Sequence, residues 1–304
     1  MTLARQVLPG RTYLLSRRCT QRQYLLRPDA FIEEAYLYCL GEAASRFTIT
    51  LHGWIVMSNH QHLLVRDNRG NFPEFLAHFH KMVAKVVNAY RGRWENLWAT
   101  EQPSAVYLVT AEDAFRKLVY LLANPVSDHL IERVGDWPGA SSYGLHLGSR
   151  AKTVKRPRLF FRTDGAMPEE VTLKPERLEG YEEMSEEEWR GKIAKAVQAV
   201  EEQARQERAR TGRGVVGRKQ VLKMSPTDSP RTQEPRGKLR PQVACGNREQ
   251  RIRELAVLRG FRVAHREARQ RFERGERGVE FPSGTYWMLR FRAHFVVEAG
   301  VKAA

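Results

Sequence analysis

The sequence predicts an α+β fold in which helices pack on an antiparallel sheet, followed by a basic and mostly helical extension. Strand-like and helix-like segments alternate in the first half, in the order strand, helix, strand, strand, helix, strand, helix. Positive charge is concentrated in the second half of the sequence: residues 1–149 carry a net charge of +3 and residues 150–304 carry +13. We therefore predict a first domain over residues 1–148, a charged linker with a helix over 149–245, and a small basic domain over 246–304.

The strands of the first domain are predicted from β-branched and aromatic residues. Four segments have this composition, namely Thr12–Cys19, Phe47–Met57, His60–Arg66 and Ala105–Val109. The Ser58-Asn59 pair between the second and third segments is typical of a turn. These two segments are therefore predicted to form a hairpin.

The helices are predicted from apolar residues at helical spacing and from their caps. Three lie in the first domain, namely Ala30–Ser45, Phe72–Tyr90 and Ala111–Ala123. Asp29 and Thr110 are good N-cap residues, and Asn124-Pro125 is predicted to end or kink the third helix. Two charged helices are predicted in the extension, over Glu186–Arg208 behind the cap Ser185 and over Arg248–Phe272. The Gly-, Pro- and Ser-rich segment between them, Thr211–Cys245, is predicted to be a linker or a loop facing nucleic acid.

The charge distribution favours a polyanionic partner. Residues 205–277 hold 21 basic and 8 acidic residues, and nucleic acid is the commonest partner of such a segment. The alternative is a solvated or disordered arginine-rich tail. The three cysteines form no CxxC pair, which argues against a disulfide framework or a zinc ribbon and favours the cytoplasm. The chain has no run of eighteen apolar residues, so we expect no membrane span and a nucleoid-associated, cytoplasmic protein.

Two local patterns point to chemistry. In a strand, His60 and His62 would point to the same face and could share a metal ion; the alternative is two surface histidines. On the third helix, Arg116, Tyr120 and Asn124 are spaced i, i+4, i+8 and form one stripe. The alternative for Tyr120 is an ordinary half-buried tyrosine.

Together the two patterns suit phosphodiester cleavage. A divalent cation polarises a phosphate for attack by the Tyr120 phenol, which leaves a covalent phosphotyrosine and a free 3′ hydroxyl. The side-chain oxygen of Asn124 is a candidate third ligand beside His60 and His62. Imidazole and oxygen ligands used with a phosphate suit Mg²⁺ or Mn²⁺. Arg116 or Lys117 could contact the phosphate from the same helix.

Here the sequence resembles the REP-associated tyrosine transposases, a group of the single-tyrosine HUH transposases. The resemblance covers roughly residues 5–143. Five ordered motifs carry it, namely Tyr13–Cys19 (YLLSRRC) with Gln21–Gln23, Trp54–Val65 (WIVMSNHQHLLV), Asn88–Arg93 (NAYRGR) with Leu97-Trp98, Leu118–Val126 (LVYLLANPV) and Trp137–Tyr143 (WPGASSY).

The resemblance implies a ferredoxin-like fold and a transposase that cleaves and rejoins single-stranded or hairpin DNA with Mg²⁺ or Mn²⁺, often as a homodimer. It implies that Tyr120 is the nucleophile, that His60 and His62 are metal ligands, and that Asn124 lies near the third-ligand position. One residue departs from the pattern. The middle residue of the HUH motif is usually bulky and apolar, whereas Gln61 would need a buried polar partner.

Eight basic residues are predicted to contact DNA, namely Arg17, Arg18, Arg22, Arg116, Lys117, Arg262, Arg266 and Arg269. Three of them, on the last charged helix, could equally form a solvated helix face. The leading hypothesis is an active strand-cleaving and rejoining transposase. The alternatives are a domesticated DNA-binding protein derived from one, a metal-dependent nuclease that uses water, and, more remotely, an RNA-binding module.

Overall fold

The computed structural model describes residues 3–148, 150–232, 241–288 and 294–295. Its first part contains four strands and three helices, in the order β1 (Arg11–Arg18), α1 (Ala30–Phe47), β2 (Ile49–Val56), β3 (His60–Asp67), α2 (Phe72–Tyr90), β4 (Ser104–Leu108) and α3 (Ala111–Ser127). The second part continues with α4 (Tyr143–Gly148), β5 (Lys152–Lys155), β6 (Glu170–Leu173), α5 (Glu186–Thr211), α6 (Arg218–Lys223), β7 (Val243–Ala244), α7 (Arg248–Glu273), β8 (Glu280–Phe281) and β9 (His294–Phe295).

The main sheet has the strand order β2-β3-β1-β4-β7. Its first four strands pair antiparallel, which with the connections β1-α1-β2 and β3-α2-β4 is the ferredoxin-like topology. The predicted α+β fold class is therefore confirmed. The fifth strand, β7, pairs parallel to β4 and comes from a segment predicted to be a linker or loop, so the sheet is mixed rather than purely antiparallel.

The two faces of the sheet are covered by different helices. In β1, Tyr13 and Leu15 belong to one buried cluster together with side chains of α1 and α2. The next residue along, Leu14, belongs to a second cluster with side chains of α3 and α5. Because side chains alternate along a strand, the two faces of β1 and β3 lead to two separate environments.

Both outer edges of the four-stranded antiparallel part of the sheet are contacted by other segments of the same chain. At the β4 edge, the N–H of Tyr107 donates to the carbonyl of Gln242, 2.9 Å away, as β7 joins the sheet. At the β2 edge, Val56 donates to Ala140 at 2.9 Å. An uncovered edge strand is a template for pairing with a second chain, and this fold has blocked both edges at these points.

The predicted helix starts are confirmed by their caps. Asp29 accepts a hydrogen bond from the N–H of Ile32 at 2.9 Å, and Thr110 accepts one from Asp113 at 3.1 Å. The predicted end of the third helix at Ala123 is wrong. Pro125 lies inside α3, and the helix continues for another turn, since the N–H of Asp128 still donates to the carbonyl of Asn124 at 2.9 Å.

The extension packs on the first domain. The apolar face of α5, with Trp189, Ile193 and Val197, is buried in the same cluster as Leu118 and Leu122 of α3. The hairpin of β5 and β6 packs on α1. The boundaries after residues 148 and 245 stay predictions, but buried side chains on both sides of residue 148 share one core. None of the helices in the described part of the chain has the length and apolar composition needed to cross a membrane.

Candidate active site

His60 and His62 lie on one face of β3 and meet Tyr120 of α3. The His60 and His62 ring centres are 4.9 Å apart, and those of His62 and Tyr120 are 5.7 Å apart. The Tyr120 side chain is 44% exposed, so its hydroxyl group can be approached from solvent. All three side chains belong to one chain, and the candidate site is therefore assembled in cis.

The surroundings of His62 hold it as a neutral ring. Its Nδ1 lies 2.6 Å from the Oγ of Ser16, the residue directly opposite on β1. Burial, together with the charges of His60 and Lys117, lowers the pKa of His62 to about 3. A neutral imidazole is the form that binds a metal, and a partner on one ring nitrogen orients the other towards it.

His60 has a comparable orienting partner in the preceding residue. Its Nδ1 donates to the Oδ1 of Asn59 at 2.7 Å, which leaves the ring lone pair on Nε2. Asn59 also donates from its side chain to the carbonyl of Arg22 at 3.2 Å, so the turn between β2 and β3 is held in place.

Asn124 supplies an oxygen one turn beyond Tyr120. Its side chain is buried, and its Oδ1 has no hydrogen-bond partner among the residues that the structure describes. Such an unpaired buried oxygen is unfavourable by itself, and a cation would satisfy it. The described residues contain no cluster of three or more His, Cys, Asp or Glu that could hold a metal. The unpaired Oδ1 of Asn124 is therefore a candidate third ligand beside the two imidazoles.

The Tyr120 phenol is protonated at neutral pH. Burial raises its pKa, and the negative charge of Asp128 raises it further. The ammonium group of Lys117 lies 5.2 Å from the centre of the Tyr120 ring. A phosphate that approached the hydroxyl of Tyr120 would thus have a positive charge beside it.

Asp128 is a further residue of the site that the sequence analysis missed. It is the C-cap residue of α3 and continues the i, i+4 spacing of Tyr120 and Asn124. The Asp128 side chain is exposed to solvent on one side. Neighbouring protein atoms raise the pKa of its carboxyl group by desolvation, and the positive charges of His60, His129 and Arg213 oppose that rise. The i, i+4 spacing could have revealed Asp128, but the helix was predicted to end before it.

Gln61 points away from the site into the opposite core and is fully buried. The Tyr36 hydroxyl contacts its Oε1, and its Nε2 lies 2.8 Å from Nε2 of His80. On the far side of the His80 ring, Arg17 donates to Nδ1 at 2.9 Å. Because Arg17 donates to Nδ1, the proton of the neutral His80 ring sits on Nε2. If the oxygen and nitrogen of the Gln61 amide are exchanged, the amide oxygen accepts from Nε2 of His80 and the amide nitrogen donates to the hydroxyl oxygen of Tyr36. The buried partner that Gln61 needs is thus present.

The basic residues predicted to contact DNA lie in different surroundings. Arg18 is opposite His60 on β1 and pairs with Glu101 at 3.3 Å, with both side chains partly exposed. Arg17 is on the other face of the sheet, in the hydrogen-bonded group of Gln61 and His80. Of this pair, the structure brings only Arg18 to the candidate site.

The remaining predicted contacts are mostly engaged within the chain. Arg22 donates to the carbonyl of Thr232 at 2.6 Å, and Arg116 pairs with Asp113. Lys117 is beside Tyr120, as described above. On α7, Arg262 donates to the carbonyl of Ala4, Arg269 pairs with Glu273 at 2.7 Å, and Arg266 is exposed. Contact between any of these residues and DNA stays a prediction.

The solved structures that are similar to this chain include those of two transposases. One is of a REP-associated tyrosine transposase bound to a REP hairpin, with a TM-score of 0.42 and 16% identity; it covers 55% of this chain and 92% of the transposase. The other is of a presumed transposase from Deinococcus radiodurans, with a TM-score of 0.29 and 17% identity; it covers 38% of this chain and 93% of that protein. No protein-family model and no curated protein matches the sequence.

Proposed function

We propose that this protein is a transposase that cleaves and rejoins single-stranded DNA at hairpins through a covalent bond between DNA and Tyr120. The observation that carries the proposal is the meeting of His60, His62 and Tyr120 on one open face, with the unpaired Oδ1 of Asn124 one helical turn away. Two histidines, an amide oxygen and an accessible phenol are the groups that this reaction needs, and they come from distant parts of the sequence.

In the proposed reaction, the phenol oxygen of Tyr120 attacks a backbone phosphorus. The bond from phosphorus to the 3′ oxygen breaks, the 3′ oxygen gains a proton, and the phenol loses one. The 5′ phosphate stays bonded to Tyr120, so a 3′ hydroxyl can attack it later and restore a phosphodiester. Since the pKa of Tyr120 is raised, its proton has to leave during the attack rather than before it.

The residues around Tyr120 have separate roles in this proposal. His60, His62 and Asn124 would hold Mg²⁺ or Mn²⁺, and a cation bound there polarises the scissile phosphate and offsets its charge. Ser16 and Asn59 fix the orientation of the two imidazoles. Lys117 contributes a positive charge beside Tyr120, where the phosphate would sit.

The test uses end-labelled single-stranded DNA that carries hairpins from the sequences flanking the gene. The full-length protein is incubated with this DNA and Mn²⁺ and run on a denaturing gel. We expect a shortened strand and a slower band of protein bonded to DNA. Tyr120→Phe should lose both products, because it removes only the attacking oxygen.

A second variant separates the possible failures. His60→Ala should retain DNA binding in the absence of metal and lose the covalent band. A shortened strand that persists in Tyr120→Phe would indicate hydrolysis by water. Tight DNA binding without any covalent band, over several flanking hairpins, would indicate a domesticated DNA-binding protein.

A further inference from the structure

The segment from 212 to 232, which we call the strap, runs beside the candidate site, between the end of α3 and the loop that follows β1. It begins where α5 ends at Gly212. Beside the end of α3, its residues Val216 and Gly217 donate to the carbonyls of His129 and Leu130 at 3.1 and 2.9 Å. The strap is thus attached directly behind the helix that carries Tyr120.

The middle of the strap is anchored by α6. Val221 of this short helix is buried in the cluster formed with α3 and α5. The side chain of Arg218 donates to the carbonyl of Asp136 at 3.0 Å. These contacts fix the path of the strap over the surface of the first domain.

The far part of the strap lies along the loop that follows β1. Arg27 donates to Met224 at 3.1 Å, and Tyr24 donates to Asp228 at 2.9 Å. At its end, Arg22 donates to the carbonyl of Thr232 at 2.6 Å. Arg22 is the residue whose own carbonyl holds Asn59, the neighbour of His60. The strap therefore runs from the end of α3, the helix of Tyr120, to the loop of Arg22, which in turn contacts the residue before His60.

The outer surface of the strap is strongly positive. It contains five basic residues and one acidic residue, Asp228. The basic residues are exposed, namely Arg213, Arg218, Lys219, Lys223 and Arg231. Within the described part of the chain, none of them forms an ion pair with a carboxylate, whereas Arg205 of α5 and Arg253 and Arg269 of α7 do. Exposed charges of one sign beside a site attract a partner that carries the opposite charge.

We propose that the strap binds the phosphates of the DNA backbone and so holds the hairpin substrate against the candidate site; we call this phosphate-binding surface the rail. The inference rests on the proposed function and deepens it by assigning contacts with the DNA backbone to the strap. Contacts to phosphate are independent of base sequence, so the rail would set the position of the DNA and leave recognition of its bases to other residues. Arg218 and Arg22 keep the strap in place, and Arg213, Lys219 and Lys223 face the DNA.

The experiment measures the binding of a labelled DNA hairpin with a single-stranded flank over a range of salt concentrations. It uses full-length protein with Tyr120→Phe, so that no cleavage occurs. The strap variant changes Arg213, Lys219 and Lys223 to Gln. The matched control changes three exposed, ion-paired arginines on α7 and its C-cap to Gln, namely Arg253, Arg271 and Arg274. Both variants lose three positive charges.

We expect the strap variant to weaken binding on the order of 100-fold at about 0.1 M salt, and to flatten the plot of log Kd against log salt by about 2 units. The control should change both quantities much less. Equal effects of the two variants would mean that binding follows net charge alone and would overturn the inference. An unchanged salt slope in a strap variant that unfolds at the same temperature as its parent would also overturn it.

Failure of the rail can be told apart from failure of the proposed function. With Tyr120 intact and DNA at saturating concentration, the strap variant should form the covalent band at the parental rate, because the rail acts in binding. A strap variant that binds normally and cleaves slowly would instead make the strap a device that positions α3, which contradicts the inference.

Discussion

Replacing Gln61 by leucine should destabilise the fold, although leucine is the kind of residue expected at the centre of an HUH motif. The change leaves two buried polar groups without a partner, the hydroxyl of Tyr36 and Nε2 of His80. Unpaired buried groups cost about 1–3 kcal/mol each, so about 2–6 kcal/mol together. Burial of the leucine side chain returns about 1.5–3 kcal/mol. We expect the free energy of unfolding to fall by about 2 kcal/mol.

Urea denaturation followed by fluorescence measures this change, and a second substitution identifies its cause. Tyr36→Phe should destabilise the parent protein, because it removes a partner of Gln61. In the Gln61→Leu protein the same substitution should stabilise, because it removes a hydroxyl that has lost its partner. A Gln61→Leu protein as stable as the parent, or a Tyr36→Phe effect of equal sign in both backgrounds, would refute the assignment of Gln61 to a satisfied buried network.

Three further outcomes are expected. Ser16→Ala should weaken Mn²⁺ binding, measured by calorimetry, by about 10–100-fold, because the Ser16 hydroxyl orients His62. Ser16→Thr should restore the affinity, and an unchanged affinity in Ser16→Ala would exclude this role. A mixture of His60→Ala and Tyr120→Phe proteins should form no covalent DNA band, since the site is assembled in cis, whereas a band would reveal exchange of α3 between chains. Burial lowers the pKa of His62 to about 3 and that of His146 to about 4, so both bind a proton more weakly folded than unfolded. The free energy of unfolding should therefore fall as the pH drops below about 6.5, and at pH 5 each histidine should have lowered it by about 2 kcal/mol. Urea denaturation at pH 7 and pH 5 measures this change, and equal free energies of unfolding at the two pH values would contradict it.

The parts of the fold that could be predicted are those with local causes. The hairpin that carries His60 and His62 follows from a turn pair between two β-rich segments, and the start of α3 follows from the cap Thr110. The i, i+4 spacing placed Asn124 on the stripe of Tyr120 without any knowledge of tertiary structure. In each case, the residues that determine the feature are neighbours along the chain.

The parts that could not be predicted depend on distant residues. Pro125 stays inside α3 because packing against α5 outweighs the loss of one backbone hydrogen bond, which no local pattern reveals. The partners of Gln61 lie on α1 and α2, and their contact is created by the fold. The strand β7 and the strap come from a segment whose composition is that of a linker; their order follows from contacts with the first domain.

The covalent bond to Tyr120 is the central claim, and mass spectrometry tests it most directly. The protein is incubated with the flanking hairpin DNA and Mn²⁺, denatured, and digested with nuclease and then with trypsin. We predict that the tryptic peptide Leu118–Arg133 carries a nucleotide phosphate on the oxygen of Tyr120. Cut DNA with an unmodified peptide, or a nucleotide attached to a different residue, would contradict the account.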